Sequence, residues 1–163
     1  MRIDRSGLVR RHNPVLRSLD ADSPLSVGNG ELAFTVDATG LQTFGQHYGS
    51  SFPLCTQSQW GWHSFPPSSA EGELRLEQHQ THGRSVGYAT SATDQEGLFD
   101  ALRKNPHRLN LCAVRLCAPE GTIRTDDVRD VNQELDLWTG IIRSSSSMRG
   151  LPLRVDIIGR AHV

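Results

Sequence analysis

The sequence predicts a mainly all-β chain: an antiparallel β-sandwich or super-sandwich, incomplete, with one short helix near 94–104. Three observations carry that expectation. Several apolar segments alternate with period two and are separated by Gly, Asn, Asp and Ser turn residues. One stretch, "TDQEGLFDALRKNP", has helical spacing together with start and stop signals. No strand–helix–strand rhythm runs through the 163 residues, so a doubly wound parallel sheet is not expected.

Taken in order, the stretch to about Pro24 has no period. It carries Arg2, Arg5, Arg10, Arg11 and Arg17 and reads as an extended lead-in. In "SVGNGELAFTVDATGLQTF", Gly28, Asn29 and Gly30 make a tight bend, because Gly and Asn tolerate positive φ. Leu32, Phe34 and Val36 then alternate with more polar neighbours as in a half-buried strand. Residues 37–40 are turn chemistry, so 41–44 is expected to return as a hairpin. Residues 46–70 are irregular and rich in Gly, Pro and Ser, a long loop of the functional or packing kind.

Residues 72–82 read as a strand, with Leu74 and Leu76 opposed to Arg75 and Glu77, and 83–92 as its partner. In the helix, Thr93 and Glu96 have capping-box spacing, Leu98, Phe99, Ala101 and Leu102 form an apolar stripe, and Pro106 ends it. "HRLNLCAVRLCA" is apolar on both faces and predicts a central strand. Gly121 and Thr122 open another extended segment, followed by "QELDLWTGIIRS" and a Ser-rich turn at Ser144–Ser147. In "LPLRVDIIGRAHV", Leu151, Leu153, Val155, Ile157, Ala161 and Val163 share one parity. Arg154, Asp156, Arg160 and His162 take the other, with Ile158 the exception. The pattern is still running at Val163, so the expectation is a truncated sandwich domain over 1–163.

Charge and cysteine content exclude several classes. Seventeen basic and eighteen acidic residues leave a net charge of -1, without the basic footprint that a phosphate backbone requires. No nucleic-acid partner and no membrane partner are expected, since no apolar run is long enough to span a bilayer. Cys55, Cys112 and Cys117 are too few and odd in number for a disulfide framework. With no secretory leader in the chain, the expected setting is cytoplasmic.

The usual catalytic constellations are missing. His79 and His82 are three apart on a strand, where odd spacing sends side chains to opposite faces, so no metal site is expected. Cys112 and Cys117 diverge likewise and read as buried apolar thiols. There is no nucleophile elbow, phosphate loop or dinucleotide fingerprint, hence no cofactor. Glu31, Asp37, Asp126, Asp127, Asp130, Glu134 and Asp136 could supply the two acids of glycoside hydrolysis, but all read as solvated sheet or turn residues. No catalytic residue is assigned.

What remains is "PLCTQSQWGWHSFPP". If extended, it projects Trp60 and Trp62 to one side and Gln59 and His63 to the other. One reading makes the indoles apolar anchors of a large loop. The other makes Gln59, Trp60, Trp62 and His63 a substrate-binding platform on which pyranose rings stack.

"PLSVGNGELAFTVDATGLQTF" resembles the first strands of the N-terminal sandwich in (α/α)6-barrel glycosidases. "QELDLWTGIIRSSSSMRGLPLRVDIIGRAHV" resembles a later hairpin of that domain, where an L-D-hydrophobic-x-T-G motif precedes a strand, a Gly turn and a second strand. Together with "RHNPVL", "PLCTQSQWGWH" and "NPHRLNL", these pieces resemble bacterial six-hairpin glycosidase-like proteins. The resemblance covers most of the chain and lies in the combined order of the pieces.

The resemblance implies the N-terminal β-sandwich of a carbohydrate-active enzyme, a glycoside hydrolase, whose catalytic acids lie in a C-terminal barrel absent from this chain. The fragment alone is then not catalytic. Its expected partners are carbohydrate and the missing barrel, with self-association through an exposed sheet edge. The alternative is a stand-alone carbohydrate-binding or protein-interaction sandwich module.

Overall fold

The computed structural model describes residues 3–66, 72–90, 94–119 and 121–159. In chain order they form α1 (Arg5–Arg10), β1 (Val15–Leu16), β2 (Leu25–Gly28), β3 (Leu32–Val36), α2 (Gly45–Tyr48), β4 (Thr56–Ser58), β5 (Trp62–His63), β6 (Glu77–Thr81), β7 (Arg84–Tyr88), α3 (Glu96–Lys104), β8 (His107–Arg108), a 3-10 turn (Thr125–Asp127), β9 (Val128–Asp136), β10 (Ile141–Met148) and β11 (Leu151–Ile158). Strands dominate and every pairing is antiparallel, which makes the chain mainly β and sandwich-like. No described helix is long and apolar enough to cross a membrane. The chain divides into two compact units, 1–61 with 110–163, and Trp62–Leu109.

The first unit holds two sheets, ordered β1-β9-β10-β11 and β2-β3-β4. Their inner faces meet over Leu25, Val27, Val36 and Ile142, flanked by Leu16, Phe34, Leu135 and Ile157. A second cluster gathers Phe44, Tyr48, Leu54, Ile123 and Val131 around Ala38. Burying such side chains is the main favourable term of folding, at about 25 cal/mol per Å².

Local chemistry explains the turns. Asn29 Oδ1 accepts the amides of Glu31 and Leu32 at 3.0 and 2.8 Å, and Gly30 takes φ 91°, so the bend after Gly28 closes the β2–β3 hairpin as expected. Asp136 Oδ1 accepts the amides of Trp138 and Thr139, turning β9 into β10 at "DLWTG". Arg149 at φ 50° and Gly150 at φ 79° make the two-residue β10–β11 loop. Between β9 and β10 the register slips at Ser145/Ser147, where Asp130 takes φ 55°, a β-bulge.

Several expectations are corrected. The lead-in contains α1, because Asp4 caps it by accepting the Gly7 amide at 3.0 Å. Residues 41–44 do not return beside β3: the chain folds into α2, and β4 takes that edge. Ser144–Ser147 is no turn but the middle of β10, held between β9 and β11. "HRLNLCAVRLCA" is not a central strand. Among the described residues only His107–Arg108 pair as a strand, Ala118 makes a lone bridge to Gly121, and Leu109 and Val114 are exposed. Its remainder is tethered by the Thr56 carbonyl, the Gln42 side chain and Thr43 Oγ1 rather than by a ladder. Cys112 and Cys117 on that segment are accordingly exposed, not buried. In the second unit β6 starts at Glu77, leaving Leu76 exposed before it, and β7 pairs with it as expected. The helix occupies 96–104 with Phe99 buried, but Leu102 is exposed. Thr93 and the end of the last alternation, 160–163, lie outside the described residues.

Candidate functional site

The second unit builds its best-defined surface from two-residue strands. β5 pairs with β8 so that Trp62 lies opposite Arg108 and His63 opposite His107. The Arg108 guanidinium sits 5.0 Å from the Trp62 ring centroid, a cation–π contact on an indole that is 57% exposed. His63 meets Phe65 and His107 edge-on at 4.9 and 5.4 Å, and Phe65 stacks on His107 at 4.9 Å. Asn105, just past α3, fixes the strand end: its side chain accepts the Phe65 amide at 3.0 Å and donates to the Phe65 carbonyl at 3.2 Å. A cavity of 160 Å³ opens beside it, lined by Phe65, Pro66, Ala101, Lys104 and Asn105.

Gln59 and Trp60 belong to the other unit. They occupy the turn after β4, closed by the Gly61 amide on the Ser58 carbonyl. Gln59 is held to Glu31 through its amide, at 2.8 Å to the carbonyl, and through Nε2, at 3.2 Å to Oε1. Trp60 is 74% exposed. Trp138, in the β9–β10 turn, is 50% exposed, so none of the three indoles anchors a core.

Of the four residues singled out in the sequence, Trp62 and His63 are brought into a cluster of rings. Gln59 and Trp60 are placed in a separate turn. Phe65, Asn105, His107 and Arg108 were not singled out. "NPHRLN" carries no alternation longer than two residues, and only its pairing with β5 shows its place.

The acidic residues divide by environment. Asp37 is fully buried, and desolvation pushes its carboxyl up against the opposing hydrogen bonds of Thr39 and Phe44. Thr39 donates its hydroxyl and amide to Oδ1 at 2.5 and 2.8 Å, and the Phe44 amide donates to Oδ2 at 2.7 Å. This overturns the solvated-turn expectation for Asp37. The reason is that an Asx turn at the end of β3 folds the carboxylate inward. Tyr48, packed in the same core, is pushed up to about 12 by burial and by the nearby Asp37 charge. Burial also raises Asp136, but hydrogen bonds from Thr139 and Trp138 and the Arg10 charge outweigh it and hold the carboxyl below its ordinary range. The Arg124 amide and Arg149 do the same for Asp127.

Glycosidic-bond cleavage needs an acid kept protonated within reach of substrate. Two of the candidate acids are buried: Asp37 has its oxygens committed to Thr39 and Phe44, and Asp136, which also departs from the solvated expectation, accepts the Trp138 and Thr139 amides and pairs with Arg10. Among the described residues no three His, Cys, Asp or Glu side chains gather as metal ligands. The exposed indole, the guanidinium and the neighbouring imidazoles can instead stack on and hydrogen-bond a neutral, hydroxyl-rich ligand. No protein-family model, no curated protein and no solved structure matches the chain.

Proposed function

We propose that the chain is the N-terminal β-sandwich portion of a carbohydrate-active enzyme, a glycoside hydrolase, and supports or lines an active site built by a barrel these 163 residues do not form. Carbohydrate is its ligand class, met at Trp62 and His63, with Trp60 and Gln59 as a separate contact. The observation that carries this reading is the exposed Trp62 indole, braced by Arg108 in a paired strand beside the His63–Phe65–His107 rings. An indole left in water forgoes a large burial gain, and a sugar face is one of the surfaces that recovers it.

Tryptophan fluorescence titrated with a panel of oligosaccharides tests it. The expected result is a saturable change with at least one sugar that is lost in Trp62→Ala and kept in Trp138→Ala. A flat response across the panel overturns the ligand class. The second reading, a stand-alone carbohydrate-binding module, shares the Trp62 observation. Aryl glycosides offered to the chain alone and to a polypeptide that continues it into a helical barrel separate the two. Turnover confined to the longer polypeptide supports the enzyme reading, and turnover by neither supports the module.

A further inference from the structure

β11 has β10 on one side and, among the described residues, no strand on the other. The hairpin register dictates what that edge offers. Gly159 donates its amide to the Gly140 carbonyl at 2.9 Å, in register with the Ile141↔Ile158 and Ile142↔Ile157 pairs. Hydrogen-bonded and non-hydrogen-bonded pairs alternate along an antiparallel ladder. Leu151, Leu153, Val155 and Ile157 therefore direct their main-chain groups at β10. Arg154, Asp156 and Ile158 direct theirs outward, and so does Pro152, which has no amide to leave unpaired there.

The side chains follow the same two-residue rule. Leu153, Val155 and Ile157 are half-buried on the inner face. Arg154, Asp156 and Ile158 are exposed on the outer one, with Arg154 bound to Asp156 at 3.1 Å. Proline and charges commonly protect an edge strand from pairing. Here the two charges are opposite and two residues apart, which alters the outcome for a second copy approaching antiparallel. A two-fold axis at Arg154 or at Asp156 sets like charges face to face. An axis at Val155 sets each Arg154 opposite the other copy's Asp156. It also sets Leu153 opposite Ile157 on the inner face and Pro152 opposite Ile158 on the outer face. In that register Arg154 and Asp156 fall on hydrogen-bonded pairs, as their outward main-chain groups require.

We propose that two copies of this chain pair antiparallel through β11 about a two-fold axis at Val155, joining their four-stranded sheets into one. The occupant of the edge is a second copy because the strand is complementary to itself in charge, apolar pattern and hydrogen-bond parity at one register. Such an interface is isologous and small, so association is reversible and concentration-dependent. The inference is independent of the carbohydrate reading.

Sedimentation equilibrium over about 5–500 µM tests it, a span suited to a small interface. The full chain is expected to shift from monomer to dimer. Arg154→Asp places like charges opposite each other twice per interface and is expected to weaken the dimer about 10-fold or more. Asp156→Arg is expected to do the same, and the double exchange Arg154→Asp/Asp156→Arg to restore it. Arg154 is largely exposed, so these variants should fold, and circular dichroism checks that they do. Hydrogen exchange gives a second reading: amides of Arg154, Asp156 and Ile158 gain protection with concentration, while those of Leu153, Val155 and Ile157 do not change. A chain that stays monomeric throughout, or a dimer indifferent to Arg154→Asp, overturns the proposal.

Discussion

Gln133 on β9 reaches across to the end of β3: its Nε2 donates to the main-chain carbonyl of Asp37 at 2.8 Å, and to Ser144 Oγ at the same distance. Both Gln133 and Asp37 are fully buried, so one side-chain amide links the two sheets of the first unit through their core.

Replacing Gln133 by Met keeps the volume and removes the donor. The Asp37 carbonyl still receives the Gly40 amide at 3.0 Å, so the loss is partial, and a destabilisation of about 1–2 kcal/mol is expected in urea unfolding. Gln133→Glu should cost more, since it buries a second carboxyl beside Asp37.

The pH dependence of stability follows from Asp37 and Asp136, whose shifts have opposite sign. The Asp37 carboxyl is raised above 3.8 by burial, so the native state holds its proton more tightly than the unfolded chain. Its contribution is full below the unfolded value and is lost as pH rises through the native one. Asp136 is lowered, so its contribution is present above the unfolded value and is lost as pH falls through the native one. Asp37→Asn removes the first effect. The stability gap between wild type and Asp37→Asn should therefore narrow as pH rises from about 3 to 7 in denaturant titrations. A gap that widens with pH contradicts this account.

What could be read from the sequence depended on how local its cause was. The alternation of Leu153, Val155 and Ile157 with Arg154 and Asp156 is strict, and β11 shows the inner and outer faces it implies. Gly28-Asn29-Gly30 acts locally, through the Asn29 side chain and the Gly30 backbone, and it bends where expected. Ser144–Ser147 misled because serine favours turns locally, while two long partner strands decided the matter from outside. Asp37 misled for a related reason: its carboxylate looks like surface turn chemistry until the Thr39 and Phe44 donors that enclose it are in place. In the candidate site, Trp62 and His63 were visible by residue type. His107 and Arg108 lie more than forty positions away, and only a two-residue pairing joins them.

All three tryptophans being at least half exposed has an optical consequence. Native emission should lie close to that of the urea-unfolded chain, so unfolding is better followed by far-UV circular dichroism. Trp60→Ala and Trp138→Ala should each change stability by no more than about 0.5 kcal/mol, as surface substitutions do. A strongly blue-shifted native spectrum would show that the indoles are covered in solution.

Gly150 and Gly40 separate backbone strain from crowding. Both sit at positive φ, 79° and 84°, where any other L-residue is strained. A Cβ on Gly150 would meet nothing within 4 Å, so Gly150→Ala carries only the conformational cost, about 1–2 kcal/mol. A Cβ on Gly40 would also meet Ser144 Oγ at 2.8 Å and Val155 Cβ at 2.9 Å, at the place where the Asp37 turn packs against β10 and β11. Neither strand can retreat without opening the ladder between them, so Gly40→Ala should cost clearly more than Gly150→Ala. The difference between the two midpoints in urea reads the crowding alone. Equal losses would mean that the Asp37 turn is not seated against the hairpin.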